Sequence, residues 1–200
     1  MTFKNVLYKI KSRFYKKIYI YELPLEDLKE LKPSSFKMLA MTPKLLAEMM
    51  VTAPEEISLK KRDIIQSRLD ESSKEKSFLV KNNQDQIMGF CHMAVGDSWN
   101  QSIRDIVQVP KGHVYLLDDY TFQSSRRQGV QKFSVGKRLE LAKDKGFSKA
   151  LVQINAHNHP SQKAYEAFGF NKKQVIHHLR LGSYQRNIQV TLEGNLEKNT

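Results

Sequence analysis

Two features of the chain carry residue types that could do chemistry. The first is Ser124-Ser125-Arg126-Arg127-Gln128-Gly129, which leads into a helix-patterned stretch over residues 130–145. The first amides of a helix lack internal acceptors, so a loop ending there is a ready anion site. Gly129 lets the backbone approach a diphosphate closely, and Arg126 and Arg127 can add charge-assisted hydrogen bonds. The loop has neither the glycine spacing nor the Lys-Ser/Thr of a nucleotide-binding P-loop, and it is not a dinucleotide fingerprint. The second feature is an acidic pair, Asp118 and Asp119, set among apolar neighbours in a strand-like stretch. The histidines offer less. His157 and His159 are two apart and His177 and His178 are adjacent, spacings that match no zinc motif, so no metal is expected. His177 and His178 are expected on opposite faces of a strand, and His113 in a structural role. Cys91 reads as a small buried strand residue.

These groups must be positioned by elements that the pattern predicts. Residues 3–14 repeat apolar side chains at helical spacing with lysines between them. A first strand follows at residues 18–21, stopped by Pro24. Residues 25–70 read as helical, with Thr42-Pro43 opening one helix over residues 44–50 and Ser58 capping another. Strands are predicted over residues 77–81 and 87–95, around the polar turn at residues 82–85. A loop over residues 96–112 carries the only tryptophan, Trp99. Then come a strand (113–122), the loop, a helix closed by Gly146, a strand (149–156), a short helix (160–168), and two strands (174–181 and 184–192) turning at Gly182-Ser183.

Length and charge set further bounds. Two hundred residues with 40% apolar content suit one globular domain. No apolar run is long enough to span a bilayer, and the single cysteine fits a reducing, cytoplasmic setting. Basic side chains outnumber acidic ones 33 to 21, and the first 21 residues hold six basic and no acidic groups. Residues 1–17 therefore read as a basic amphipathic arm, 18–192 as the domain and 193–200 as a polar tail. The arm is either packed on its own domain or laid on an anionic membrane surface at the inner face. Nucleic acid is the weaker reading, since no recognition motif accompanies the charge.

The loop and a segment one strand later together resemble a known family. Arg126-Arg127-Gln128-Gly129-Val130-Gln131 is similar to the Arg/Gln-x-x-Gly-x-Gly/Ala pyrophosphate loop of the GNAT acetyltransferase superfamily. The stretch from Asn155 through Asn158, Ser161 and Tyr165 to Gly169-Phe170 resembles its second signature. Gln131 departs from the small residue usual there, which is tolerated if its side chain points away from the phosphates. Asp118-Asp119-Tyr120-Thr121 also resembles the corresponding strand of GNAT-like proteins associated with envelope polysaccharide genes.

The resemblance implies an α/β GNAT-like fold, with a mixed, mainly antiparallel twisted sheet flanked by helices. It implies acetyl-CoA as co-substrate, with Tyr120, Thr121 and Phe122 beside pantetheine. The amides from Gln128 to Gln131 would lie on the pyrophosphate, with Arg126, Arg127 and Asn158 nearby. It further implies Tyr165 as the acid toward the departing thiolate, and Asp118 or Asp119 as the base toward an amine. The expected reaction is acetyl transfer to a primary amine of a small molecule, an envelope sugar or a lipid-linked precursor, with homodimers expected through terminal strands. Two alternatives stay open: a long-chain N-acyl synthase of the same fold, and a non-enzymatic regulator binding CoA or nucleic acid.

Overall fold

The computed structural model describes residues 14–29, 34–70 and 72–192. The sequence-predicted helix of the basic arm, up to residue 13, and the polar tail from residue 193 lie outside them.

Among the described residues, ten strands and four α-helices follow in the order β1 (Tyr15–Pro24), β2 (Phe36–Ala40), α1 (Pro43–Thr52), α2 (Leu59–Ser67), β3 (Glu75–Asn82), β4 (Ile87–Ala94), β5 (Ser98–Asn100), β6 (Asp105–Val107), β7 (His113–Thr121), α3 (Val130–Asp144), β8 (Lys149–Asn155), α4 (His159–Glu166), β9 (Asn171–Leu181) and β10 (Tyr184–Thr191). Eight strands form one sheet in the order β10-β9-β1-β8-β7-β4-β3-β2, and β5 and β6 form a small hairpin apart from it. Every pairing in the large sheet is antiparallel except that of β7 with β8. The expected mixed, mainly antiparallel α/β architecture is therefore present.

Two differences from the sequence-based reading have physical reasons. Residues 36–40 are a strand rather than part of a helical region, because Phe36 to Ala40 pair with Asn82 to Phe78 at the sheet edge. Partnership overrides local propensity there. β1 begins at Tyr15, three residues before the predicted strand, because Tyr15, Lys16 and Lys17 pair with Leu179, His178 and His177.

The helices sit where their caps and apolar stripes dictate. The Thr42 hydroxyl accepts from the Leu45 amide (3.2 Å) and the Ser58 hydroxyl from the Lys61 amide (3.2 Å), fixing the starts of α1 and α2. These helices cover one face of β3, β4 and β7 with a cluster containing Leu46, Met49, Ile65, Leu79, Phe90 and Phe122. On the opposite face α3 and α4 pack over β8, β7 and β1, burying Val135, Leu139, Ala142 and Tyr165 against Val114, Leu116, Val152, Ile154 and Tyr21. No helix among the described residues is long and apolar enough to cross a membrane.

Candidate active site

The site begins with a break in the sheet. β7 and β8 are parallel neighbours only from His113–Lys149 to Leu116–Val152. Beyond that the ladder stops, while β8 stays paired to β1 through Asn155 and β7 to β4 through Thr121. The two central strands thus splay apart, leaving a wedge with backbone on both sides. A cavity of about 340 Å³ occupies it, lined by both acidic residues, Tyr165, Gln131, Asn158 and Ser161, among others.

A bulge in β7 aims the acids. Leu117 pairs with His92 and Tyr120 with Phe90, so Asp118 and Asp119 together oppose Cys91 alone. Asp118 takes φ +57° to accommodate the extra residue. At the far end of this pairing β4 comes so close that a Cβ on Gly89 would lie 2.2 Å from the Tyr120 carbonyl oxygen, so only glycine fits. The two carboxylates leave the strand toward opposite layers, yet both reach the wedge.

Asp118 turns to α2. Lys61, Ile64, Ile65 and Arg68 recur at helical spacing on the side of α2 that meets the sheet. Lys61 Nζ lies 2.8 Å and Arg68 Nη1 2.9 Å from the Asp118 carboxylate. Burial alone would raise this carboxyl, but Lys61 and Arg68 outweigh it and pull it down to about 2. Asp118 is therefore a fixed anion and a poor proton acceptor. Behind it His92 is fully buried, its Nδ1 2.8 Å from the Ser77 hydroxyl. Burial first, then the charge of Arg68, hold His92 well below its ordinary value, so it stays neutral.

Asp119 turns the other way. Its Oδ2 accepts a 2.7 Å hydrogen bond from the Tyr165 hydroxyl. Its Oδ1 lies 2.5 Å from Nη2 of Arg138, a close ion pair rather than an aligned hydrogen bond. Arg138 is wholly buried and also donates to the His92 carbonyl (2.6 Å) and the Ser134 carbonyl (3.1 Å). Burial raises the Asp119 carboxyl, and Arg138 and Tyr165 only partly oppose it. Tyr165 is pushed well above its ordinary value by burial and then by the adjacent Asp119 charge. Its ring packs edge-on against Phe170 at 5.1 Å, which fixes the hydroxyl in place. Of the two acids, Asp119 is the one whose surroundings favour the protonated form.

Sequence reasoning missed Arg138, although a signal was there. It shares a helix stripe with Ser134, Val135, Leu139 and Ala142, all buried. An arginine at a core position of an amphipathic helix requires a buried anion, and the acidic pair on β7 was the available one.

The loop after β7 has the features its sequence suggested. The first backbone bond of α3 runs from the Phe133 amide to the Gly129 carbonyl, so the amides of Val130, Gln131 and Lys132 precede the helical ladder. Gly129 has φ +86°, and a Cβ there would meet nothing within 4 Å, so the space in front of the turn is open. A diphosphate fits such a cradle of amides at a helix start. Arg126 lies beside the Tyr120 hydroxyl, which itself donates to Glu56 (2.8 Å), and Arg127 is exposed. Tyr120 stacks on Phe90 and Phe122 is buried in the cluster under α1 and α2. The side chains of both thus pack away from the wedge. For these two residues and Thr121, the backbone edge is what could run beside pantetheine.

The segment after β8 supplies the remaining wall. The Asn158 side chain caps α4 by accepting from the Ser161 amide (3.3 Å). Gln162 anchors the helix by donating to the Asn155 and Ala156 carbonyls (3.2 and 2.9 Å). The Gln131 side chain turns toward α4. Its amide reaches Ser161 Oγ (3.4 Å), bridging the starts of α3 and α4 along the cavity wall. Burial pushes the Cys91 thiol up to about 12, as suits a buried strand residue. His177 and His178 do take opposite faces: His177 meets the Tyr15 hydroxyl (2.7 Å), and His178 meets the Asn187 side chain (2.7 Å).

Comparison with known proteins agrees with this geometry. The profile of the Acetyltransferase (GNAT) family matches residues 42–170, more than half of the chain. No curated protein sequence is significantly similar. Among solved structures, the chain is similar to a GCN5-related N-acetyltransferase from Sphaerobacter thermophilus, with 12% identity and a TM-score of 0.57 over 94% of this chain and 56% of that one. It is also similar to the glucosamine N-acetyltransferase region of a fungal multi-domain GH3 beta-N-acetylglucosaminidase (10% identity, TM-score 0.62, 94% of this chain and 23% of that one). A third is AAC(6′)-Iy in complex with the bisubstrate analogue CoA-S-monomethyl-acetylneamine (18% identity, TM-score 0.50, 76% of this chain and 99% of that one). This chain therefore spans little more than half the length of the Sphaerobacter protein, and at these identities the likeness is one of fold. A splayed β7–β8 pair, a Gly-containing loop at a helix start and the match over residues 42–170 lead to one conclusion: the chain belongs to the GNAT acetyltransferase family.

Proposed function

We propose that the protein transfers an acetyl group from acetyl-CoA to a primary amine, with Asp119 and Tyr165 moving the protons. The observation that carries this reading is the Asp119–Tyr165 pair on the wall of the wedge, a carboxylate and a phenol already joined by a 2.7 Å hydrogen bond.

In this reading the amides ahead of the α3 ladder hold the pyrophosphate, and pantetheine lies in the wedge along the unpaired edge of β7. Acetyl-CoA supplies the thioester carbon. The acceptor nitrogen bonds to that carbon as the C–S bond breaks, and Asp119 accepts the proton leaving the nitrogen. Once protonated, Asp119 no longer adds its charge to the rise that burial imposes on the phenol of Tyr165. Tyr165 then becomes the stronger acid and gives its proton to the sulfur. The proton on Asp119 passes back along the same hydrogen bond, restoring both groups. Asp118, clamped by Lys61 and Arg68, keeps its charge throughout and serves as a fixed electrostatic element on the acceptor side.

The wall of the wedge is rich in amides and hydroxyls, which supports a short acyl group over a long chain. The acceptor in this reading is an amine on an envelope sugar or a lipid-linked precursor. The basic residues ahead of β1, Lys4, Lys9, Lys11 and Arg13, would bring the protein to an anionic membrane surface. Acetyl-CoA with a panel of primary amines should release free thiol, measured spectrophotometrically, only when an acceptor is present. Arg126→Ala is expected to raise the KM for acetyl-CoA about 10- to 150-fold with kcat little changed, since a charge-assisted contact to phosphate contributes roughly 1.5–3 kcal/mol. An unchanged KM would remove Arg126 from the cofactor site, and absence of thiol release with every amine would count against the proposal itself.

A further inference from the structure

Trp99, the only tryptophan of the chain, plays no part in the proton path, yet it lines the same cavity, with Lys61 and Ile64 of α2. It stands on the β5–β6 hairpin and is 52% exposed, so it is not held there as core packing. The neighbouring residues hold the hairpin in place. The Ser98 hydroxyl donates to Glu75 (2.6 Å), the Asn100 amide donates to Gln153 Oε1 (2.7 Å), and the Val109 amide donates to Asp97 (3.0 Å). An aromatic face is thus presented at the cavity by a tethered support.

The wall beside it has a distinct chemistry. Asn100, Gln101, Ser102 and Gln153 line the cavity, and each carries groups that both donate and accept hydrogen bonds. The carboxylates that line the cavity already have cationic partners: Asp118 with Lys61 and Arg68, and Asp119 with Arg138. Among the described residues no unpaired carboxylate lines the cavity to attract a polyamine or a lysine-rich peptide, and Lys61 and Arg68 would repel one. Hydroxyl groups, which also donate and accept, are the natural partners of such a wall. The flat apolar face of a sugar ring is the natural partner of a half-exposed indole.

We propose that the acceptor is an amine carried on a neutral, polyhydroxylated ring, an amino sugar, with Trp99 as the platform under the ring. The amides of Asn100, Gln101 and Gln153 read its hydroxyls. This assignment rests on the acyl-transfer reading and narrows its acceptor to one chemical class.

Because Trp99 is the sole tryptophan, its emission reports this subsite without any turnover. Titration of the purified full-length protein with glucosamine should change Trp99 fluorescence saturably, whereas spermidine and a lysine-containing peptide should not. In the acetyl-CoA assay, glucosamine should be turned over at least about tenfold better than either. Trp99→Ala should raise the KM for glucosamine about tenfold with kcat within about twofold, and Trp99→Phe should restore most of the loss. Unchanged emission with glucosamine, preferential turnover of the peptide or polyamine, or an unaltered KM in Trp99→Ala would each overturn the subsite. If acetyl-CoA binds and a different amine class is turned over, only the subsite falls. If acetyl-CoA does not bind at all, the acyl-transfer reading falls and takes this proposal with it.

Discussion

Replacement of Arg138 by glutamine is expected to destabilise the protein by about 3–5 kcal/mol, because it strands the Asp119 carboxylate in the core. Arg138 is wholly buried, and its guanidinium serves Asp119, the His92 carbonyl and the Ser134 carbonyl at once. A single ammonium cannot replace that fork, so Arg138→Lys should lose less than Arg138→Gln but still a measurable amount. Asp119→Asn combined with Arg138→Gln should recover much of the loss, since the unpaired charge is then gone. Denaturant unfolding of the wild type, Asp119→Asn, Arg138→Gln, the double variant and Arg138→Lys checks this. Activity carries a second signature. Burial already raises the Asp119 carboxyl, and the Arg138 charge opposes that rise. Weakening that charge lets Asp119 hold its proton to higher pH, and the base must be ionised to act. The acid limb of kcat/KM should therefore move to higher pH in Arg138→Lys, the variant that tests the point even if Arg138→Gln does not fold. Wild-type stability in both variants and an unmoved acid limb would show that the ion pair does not tune the site.

The second large effect is expected at Tyr165. Tyr165→Phe keeps the ring and its packing on Phe170 and removes only the hydroxyl that donates to Asp119. It should lower kcat by about 10²–10³-fold, the range of a lost proton donor, while acetyl-CoA affinity changes less than about threefold. Asp119→Asn should have a comparable effect on kcat, and the double variant should be little worse than either single one, because the two groups act as one relay. If the single losses instead multiply, the two residues act independently and the relay is wrong. Turnover unaltered by Tyr165→Phe would remove the phenol from the reaction altogether.

The parts of this site that lie in local sequence were legible, and the parts that depend on long-range partners were not. The turn at Gly129, the start of α3 and the short helix α4 are local features, and the residue pattern announced them. The acidic pair was visible on β7. Its arrangement was not, because adjacent strand residues should face opposite sides and nothing in the sequence announces the bulge at Asp118. That bulge lets Asp118 and Asp119 serve one cavity from two layers. β2 was read as helical because its strand character comes from pairing with β3 at the sheet edge. The β5–β6 hairpin was read as loop because strands of three residues carry no periodicity. The direction of the Gln131 side chain was not legible either, because Ser161, which draws it along the wall, lies on a different helix.

The central claim is that the wedge between β7 and β8, with the amides at the start of α3, binds acetyl-CoA. Calorimetric titration of the full-length protein with acetyl-CoA tests it most directly. The account predicts a single saturable site with a dissociation constant in the micromolar range, about −8 kcal/mol, displaced by free CoA. Absence of saturable heat up to millimolar acetyl-CoA would contradict it, leaving the loop as a turn and the Asp119–Tyr165–Arg138 cluster as a structural element of the core.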